Sequence, residues 1–311
     1  MRSLVDYFIL MLKGTAMGAA DVVPGVSGGT IAFISGIYEE LLTAISHFNI
    51  QALKILKNEG GKATWKYIHG DFLVALFAGI LVAVFSLAKL IKYLLDTHPV
   101  LLWSFFFGLV LASIWLVGKQ IKSKSVVTII LFIVGTITAY WITTLQATTS
   151  VDANWYLFIS GAIAICAMIL PGISGSFILL LLGSYHVVIE AIHDRELKLI
   201  LIFGAGCVVG LLSFSRVLKW LFSRFKSATL AVLTGFLLGS LNKIWPWKVN
   251  VGSGPLVVHS DGREEWLQTN VSPLNFDGEP LIVWASLLAL SGVLLIILLE
   301  RFAAVKGKVE K

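Results

Sequence analysis

The strings Pro24-Gly25-Val26-Ser27-Gly28-Gly29 and Pro171-Gly172-Ile173-Ser174-Gly175-Ser176 are two copies of one motif. The match extends at a constant offset of 147 residues (171 minus 24), pairing Gly14 with Gly161, Ala20 with Ala167, Gly36 with Gly183, Tyr38 with Tyr185 and Ala44-Ile45 with Ala191-Ile192. A duplicated chain has to fold as two related halves, so neither motif can be read alone. Further along, a second register at an offset of 127 (216 minus 89) pairs Gly79 with Gly206, Ser86 with Ser213, Lys89 with Arg216, Gly108 with Gly235 and Ser113 with Ser240. The lost 20 residues (147 minus 127) are a loop: the connection 49–69 is long and basic, and its counterpart at His193 to Glu196 is very short.

Hydrophobic residues make up 57% of the chain and charged residues 14%, against about 25% charged in an ordinary soluble domain. Apolar runs such as Leu101 to Val117 and Leu281 to Leu299 approach the roughly 20 residues that cross a hydrocarbon core. The apolar segments fall at about 3–22, 29–46, 71–95, 100–118 and 125–145, then at 155–170, 175–192, 197–222, 228–245 and 280–300. Cys166 and Cys207 lie inside such segments and form neither a disulfide framework nor a metal spacing. The apolar start after Arg2 superficially resembles a signal peptide, but its repeat partner is retained in the second half, which argues against cleavage.

The net charge of +6 sorts by loop rather than forming a surface for nucleic acid. Lys54 to Lys66, Lys119 to Lys124, Arg224 to Lys226 and Arg301 to Lys311 carry the basic residues, while 96–99 and 146–154 carry no Lys or Arg. This alternation is the positive-inside rule, and it puts both termini in the cytoplasm and the acidic 246–279 connection outside. That connection reads as a small hairpin or irregular solvated cap. The expected fold is an all-α polytopic membrane protein of two inverted-topology repeats, 1–147 and 148–311, each of about five apolar segments. The first two segments of each repeat are interrupted by Pro and Gly, either as two full spans or as a re-entrant hairpin meeting its twin near the midplane.

Broken helices at the meeting of inverted repeats are where secondary transporters place their substrates. Gly25, Ser27, Gly28, Gly29 and Thr30, with Gly172, Ser174, Gly175 and Ser176, offer main-chain N–H groups and hydroxyls suited to an anion. Close packing of small residues would explain one such copy; two copies favour a site. Lys89 and Arg216, equivalent positions about six residues inside their helices, are candidates to grip a phosphate, Arg216 through its bidentate fork. Their neighbours Lys92 and Lys219 are read as snorkelling, and Lys13, Glu39, Glu40 and Glu190 as interfacial. Asp21, three residues before the break, has two open readings: a coupling site for H⁺ or Na⁺, or a local cap on the Gly-rich turn. Its repeat partner is Met168, so its role is one-sided. Gly25-Val26-Ser27-Gly28-Gly29 also fits the nucleophile string G-x-S-x-G, but the preceding segment is helical and the second copy loses the last Gly. No catalytic residue, metal site or cofactor is expected, and the sequence sets no oligomeric state.

The paired P-G-V/I-S-G-G/S strings, each followed by Gly-x-Tyr at Gly36 to Tyr38 and Gly183 to Tyr185, resemble the bacterial polyprenyl-phosphate transporter family over essentially the whole chain. The resemblance implies an inner-membrane protein that returns undecaprenyl phosphate, the lipid carrier of cell-envelope precursors, from the outer to the inner leaflet. Only the two motif loops carry over from the family; the roles of Asp21, Lys89 and Arg216 rest on their chemistry. An ion-coupled carrier or channel for a small anion is the alternative, and an intramembrane serine hydrolase acting through Ser27 is third.

Overall fold

A computed structural model describes residues 2–23, 26–145, 153–251, 257–258, 264–265 and 267–309. Pro24, Gly25, Asp261 and Arg263 lie outside the described residues, as do the side chains of Lys92 and of residues 299–311. Helices dominate: α1 (Leu4–Val22), α2 (Gly28–Ile34), α3 (Tyr38–Ser46), α4 (Ile50–Glu59), α5 (Gly61–Tyr67), α6 (Gly70–Val82), α7 (Ala88–Thr97), α8 (Pro99–Gly118) and α9 (Val126–Thr144) in the first half. The second half holds α10 (Asn154–Ile169), α11 (Gly175–Leu181), α12 (Tyr185–His193), α13 (Leu197–Arg224), α14 (Lys226–Ser240) and α15 (Ile282–Val309). Before α15 come two short antiparallel pairs, β1 (Lys248–Val251) with β4 (Leu267–Asn270) and β2 (Val257–Val258) with β3 (Glu264–Glu265). The 246–279 connection is thus built on a hairpin, as its composition suggests.

Helix starts follow local chemistry. Ser3 and Asp6 form a reciprocal capping box on α1, Pro99 opens α8, and the Ser125 hydroxyl accepts the Thr128 N–H at the head of α9. Among the described residues four stretches, Gly70–Leu87, α8, α9 and α13, are long and apolar enough to cross a membrane. The outer face of α9 exposes Val126, Ile137 and Trp141 by more than 60% each, a surface that water would not tolerate. The protein is a multi-pass membrane protein.

Two of the expected single segments are broken. Where 29–46 and 175–192 read as continuous, each splits into helices of seven and nine residues, about 10 and 14 Å long and too short to cross alone. The break is a glycine in the left-handed region, Gly36 at φ 74° and Gly183 at φ 66°. Around Gly183 the axes of α11 and α12 turn by 109°, the geometry of a broken span or a re-entrant loop rather than of a straight helix. The 71–95 segment also departs from its twin: a π-helical turn, Ala83–Leu87, separates α6 from α7, whereas α13 runs unbroken for 28 residues.

Packing contacts recur at the spacings of the sequence repeat. Gly14 lies against the Leu76 carbonyl and Gly161 against that of Phe203, so α1 crosses α6 as α10 crosses α13. The later helices exchange partners. α9 packs on α14 and α15 on α8, with Gly235 against the Phe132 carbonyl and Gly108 against that of Ala289. A Cβ at Gly108 would come within 1.9 Å of that carbonyl oxygen, and one at Gly235 within 2.3 Å. Phe33, Tyr38 and Phe222 join α2, α3 and α13 edge to face at centroid distances of 5.1 to 6.4 Å, in the middle of the apolar core.

Gly108→Val and Gly235→Val are therefore expected to destabilise the folded chain, each by roughly 1–3 kcal/mol from overpacking. Gly118→Ala, which meets nothing within 4 Å, should leave the thermal midpoint in detergent unchanged; equal midpoints for all three variants would refute the crossing geometry.

Candidate functional site

The first motif loop is closed on itself. Asp21, at the end of α1, accepts the Gly28 N–H at 2.7 Å, and the Ser27 hydroxyl accepts the Gly29 N–H at 3.0 Å. Of the two open readings of Asp21, the capping contact is the one present in the structure. A Cβ at Gly28 would sit 2.5 Å from Asp21 Oδ2, so only glycine lets the carboxylate approach this closely. Ser27 and Thr30 are each 1% exposed.

The two loops then satisfy each other. Ser27 donates to the Met168 carbonyl at 2.7 Å, the Tyr38 hydroxyl to the Ile169 carbonyl at 3.1 Å, and the Gly172 N–H to Thr30 Oγ1 at 3.0 Å. Gly29 is pressed so tightly on the second loop that a Cβ would meet the Ile169 carbonyl oxygen at 2.4 Å. Met168, the repeat partner of Asp21, thus contributes its carbonyl where the first half contributes a carboxylate. Because the Ser27 proton is directed at a carbonyl, this arrangement supplies no general base for a nucleophilic serine.

The second loop is built differently. Ser174 makes no cap to the helix behind it; its hydroxyl pairs with that of Ser176 at 2.9 Å, and Ser176 is exposed while Ser174 and Gly175 are buried. A cleft opens beside it, lined by Gly172, Ser174 and Phe177 of the loop and α11, by Ala139 and Thr143 of α9, and by Lys243 just past α14. The Lys243 ammonium lies 4.3 Å from the Phe177 ring centroid. Lys248, at the start of β1, donates to the Lys243 carbonyl at 2.6 Å and covers the Trp103 ring at 4.1 Å. Sequence reading placed Lys243 and Trp245 at the end of the expected 228–245 segment and Lys248 at the start of the 246–279 cap, and missed the contact of this stretch with the loop; a pair of lysines among Trp245 and Trp247 was the available signal.

The other predicted cations lie elsewhere. Arg216 donates to the Phe48 carbonyl at 3.1 Å, just beyond the end of α3, and Lys219 reaches Ser46 Oγ and His47 Nε2, each at 3.2 Å. Lys89 is exposed at the start of α7, directly after the π turn. Arg2 pairs with Glu40, Lys226 with Glu39 at 2.6 Å, and Lys13 donates to the Ser35 carbonyl at 2.6 Å. These contacts gather Arg2, Lys13, Arg216, Lys219 and Lys226 around α3. The structure thus joins Asp21, Ser27, Gly28, Gly29, Thr30 and Gly172 in one cluster, sets Ser174, Gly175 and Ser176 beside it, and places Arg216 and Lys89 on other surfaces; Gly25 lies outside the described residues.

A family model described as undecaprenyl phosphate translocase-like matches residues 17–254. The polyprenyl-phosphate transporter of Vibrio cholerae serotype O1 is 49% identical over 305 residues, covering 96% of this chain and 98% of that one. The polyprenyl-phosphate transporter of Staphylococcus aureus is 34% identical over 259 residues, covering 77% and 86%. No solved structure gives a significant match.

Replacing Asp21 separates its hydrogen bond from its charge. Asp21→Asn keeps an acceptor for the Gly28 N–H and should preserve the thermal midpoint, whereas Asp21→Leu strands that amide at a cost of about 1–3 kcal/mol. A loss of stability in both variants alike would contradict the capping role.

Proposed function

The chain belongs to the undecaprenyl phosphate translocase-like family, and from that membership we propose that it moves undecaprenyl phosphate from the outer to the inner leaflet of the bacterial cytoplasmic membrane, for reuse of the envelope lipid carrier. The geometric observation that carries this reading is the interlock of the two motif loops, where Ser27, Tyr38 and Thr30 of one loop meet Met168, Ile169 and Gly172 of the other. A lipid phosphate needs a polar place within the membrane for its charge, while its tail stays in hydrocarbon. Two broken helices meeting in an apolar core supply such a place.

In this reading residues 1–147 and 148–311 are inverted repeats, the termini are cytoplasmic, and the strands face outside, as the loop charges require. The phosphate is handled by the two loops, with no chemical step and no cofactor. Asp21 already occupies, with its own carboxylate, the amide of Gly28. Protonation of Asp21 would weaken that bond and free the N–H for the phosphate, which couples substrate to a proton without placing two anions together. Na⁺ is the alternative partner for the same carboxylate. Arg216 and Lys89 are proposed as later contacts, just beyond α3 and beside the π turn. A small-anion carrier would use the same loops but needs no lipid tail, and a hydrolase would need a base for Ser27.

The test is reconstitution into vesicles loaded on one side with fluorescent polyprenyl phosphate, headgroup exposure being read with added phosphatase. Wild-type protein should accelerate appearance of the headgroup on the opposite side. The Ser27→Ala/Ser174→Ala double variant and Arg216→Ala should slow it about tenfold or more, and Asp21→Asn should slow it with stability retained. Wild-type rates equal to protein-free vesicles, or unchanged rates in all three variants, would sink the reading; transport of inorganic phosphate but not of the lipid would favour the small-anion carrier.

A further inference from the structure

The pair of helices α4 and α5 has no counterpart in the second half, where the chain passes from α12 to α13 through Asp194, Arg195 and Glu196 alone. Closing this junction therefore needs no helix. The pair is nevertheless held firmly at its base: Asn49 accepts the Ala52 N–H at 3.1 Å and donates to the Tyr67 hydroxyl at 3.3 Å, while His47 donates to the Tyr67 carbonyl at 2.5 Å and stacks on the Tyr67 ring at 4.3 Å. Gly60, at φ 86°, makes the turn between the two helices. Trp65 donates to Asp71 at 2.8 Å and lies over Gly70, where a Cβ would come within 2.3 Å of its ring. The short helix α4 is apolar on two sides. Ala52 is buried and Ile55 half-buried on the inner side, whereas Ile50, Leu53 and Leu56 form an outer stripe at 73%, 66% and 50% exposure. Lys54, Lys57, Lys62 and Lys66 are all exposed, with Glu59 the one acid between residues 50 and 67. Among the described residues none of these four lysines is within ion-pair distance of a carboxylate.

We propose that α4 and α5 form an interfacial module that docks on anionic phospholipid, the stripe of Ile50, Leu53 and Leu56 entering the acyl boundary and the four lysines meeting headgroup phosphates. Its depth follows from the neighbouring span. Gly70 opens the 18-residue stretch Gly70–Leu87, which at about 27 Å matches the hydrocarbon core, so Gly70 stands near one boundary of the bilayer. Tyr67, three residues earlier, is no more than ~11 Å from Gly70, and the Trp65 ring touches Gly70 itself. The pair is thus confined to headgroup level. Lipid reaches the adjoining span, since α6 exposes Val74, Phe77 and Leu81 by more than half each. Three large aliphatic side chains and Trp65 turned outward would be a liability in water, whereas a short helix with an apolar stripe, a basic flank and aromatic anchors suits the interface. The net charge of +3 between residues 50 and 67, four lysines less one glutamate, selects an anionic surface over a zwitterionic one. A bilayer is favoured over a protein partner because it already borders Gly70. On the orientation given by the loop charges, the surface is that of the cytoplasmic leaflet.

Purified full-length protein in detergent is titrated with phosphatidylglycerol, phosphatidylcholine or inorganic phosphate, the thermal midpoint reporting binding. Phosphatidylglycerol should raise the midpoint at a concentration at least about tenfold lower than either comparison ligand. Replacing Lys54, Lys57, Lys62 and Lys66 together by Gln should weaken this response about tenfold or more, replacing all four by Arg should keep it, and Lys122→Gln/Lys124→Gln, between α8 and α9, should respond as wild type. In vesicles containing phosphatidylglycerol, a water-soluble maleimide should label Leu53→Cys about tenfold or more slowly than Gln51→Cys on the other side of α4, both in a Cys166→Ala/Cys207→Ala background. One helix carries both cysteines, so the direction of insertion cancels. Equal labelling overturns the buried stripe, and an equal response to phosphatidylcholine, or an unchanged one in the glutamine variant, overturns the anionic surface. An equal, lysine-dependent response to inorganic phosphate overturns the lipid assignment. If the glutamine variant misfolds, loss of the response in a well-folded arginine variant overturns it as well. Conversion of a wild-type dimer to a monomer by Ile50→Ser/Leu53→Ser/Leu56→Ser gives the stripe to a second copy and overturns the proposal.

Discussion

The main chain is broken twice in an apolar interior, after α1 and after α10, and hydrocarbon offers no partner for the amides and carbonyls that the breaks release. The protein solves this by making each break the solvent of the other. Carbonyls 168 and 169, freed where α10 ends, take the Ser27 and Tyr38 hydroxyls, and the Gly172 N–H goes to Thr30. The requirement reaches outward from there. Gly29 has to lack a side chain so that the second loop can press on it, and Gly36 has to turn α3 back so that Tyr38 can reach across. Phe33 and Phe222 then enclose the Tyr38 ring, which ties the broken segments to the long helix α13.

Near-equivalence of the halves makes their differences informative. Gly28 is held by a carboxylate seven positions earlier, while the corresponding Gly175 has Met168 at that distance and Ser174 turns to Ser176 instead of capping. One loop has its donors consumed from within, and the other keeps a hydroxyl facing a cleft. On the proposed reading, this is how one polar centre distinguishes its two sides: the first loop carries an ionisable group that has to be displaced, and the second does not.

Much of this was legible in the chain itself, because hydrophobic length and capping residues are local. Expected segments at 3–22, 100–118 and 125–145 meet α1, α8 and α9 within a residue of their ends, and the hairpin in 246–279 follows from its turn residues. The breaks at Gly36 and Gly183 were hidden, since an apolar run shows no discontinuity when a single glycine turns left-handed. Partner exchange among α8, α9, α14 and α15 was hidden too. Which apolar helix meets which is decided by fit across the core, and only Gly108 and Gly235 hinted at where backbones touch. Arg216 looked like an anion ligand because a cation in an apolar segment demands a partner; that partner is the Phe48 carbonyl, which no spacing rule could reveal. Lys243 drew no attention at the end of the expected 228–245 segment, because its contact with Phe177 of the second loop joins residues far apart in the chain.

The strength of the interlock bears on whether such a centre can work as a carrier. Among the described residues three hydrogen bonds join the two broken segments, each contributing a net 0.5–1.5 kcal/mol, so pulling them apart costs roughly 1.5–4.5 kcal/mol before anything replaces them. An equilibrium displaced by a few kcal/mol keeps its minor state at about 0.1–10%, rare enough to seal the membrane and frequent enough to use. The Asp21–Gly28 bond lies wholly within the first half and survives such a separation, so opening exposes Ser27 and the 168–169 carbonyls but not the Gly28 amide. An anion arriving there meets the released Ser27 and Tyr38 hydroxyls and the Gly172 N–H beside two repelling carbonyls, while the Gly28 amide stays occupied. On the proposed reading a lipid phosphate gains the Gly28 amide only when the Asp21 carboxylate is neutralised, and the requirement that the break be satisfied without water becomes the requirement that substrate and counter-ion move together.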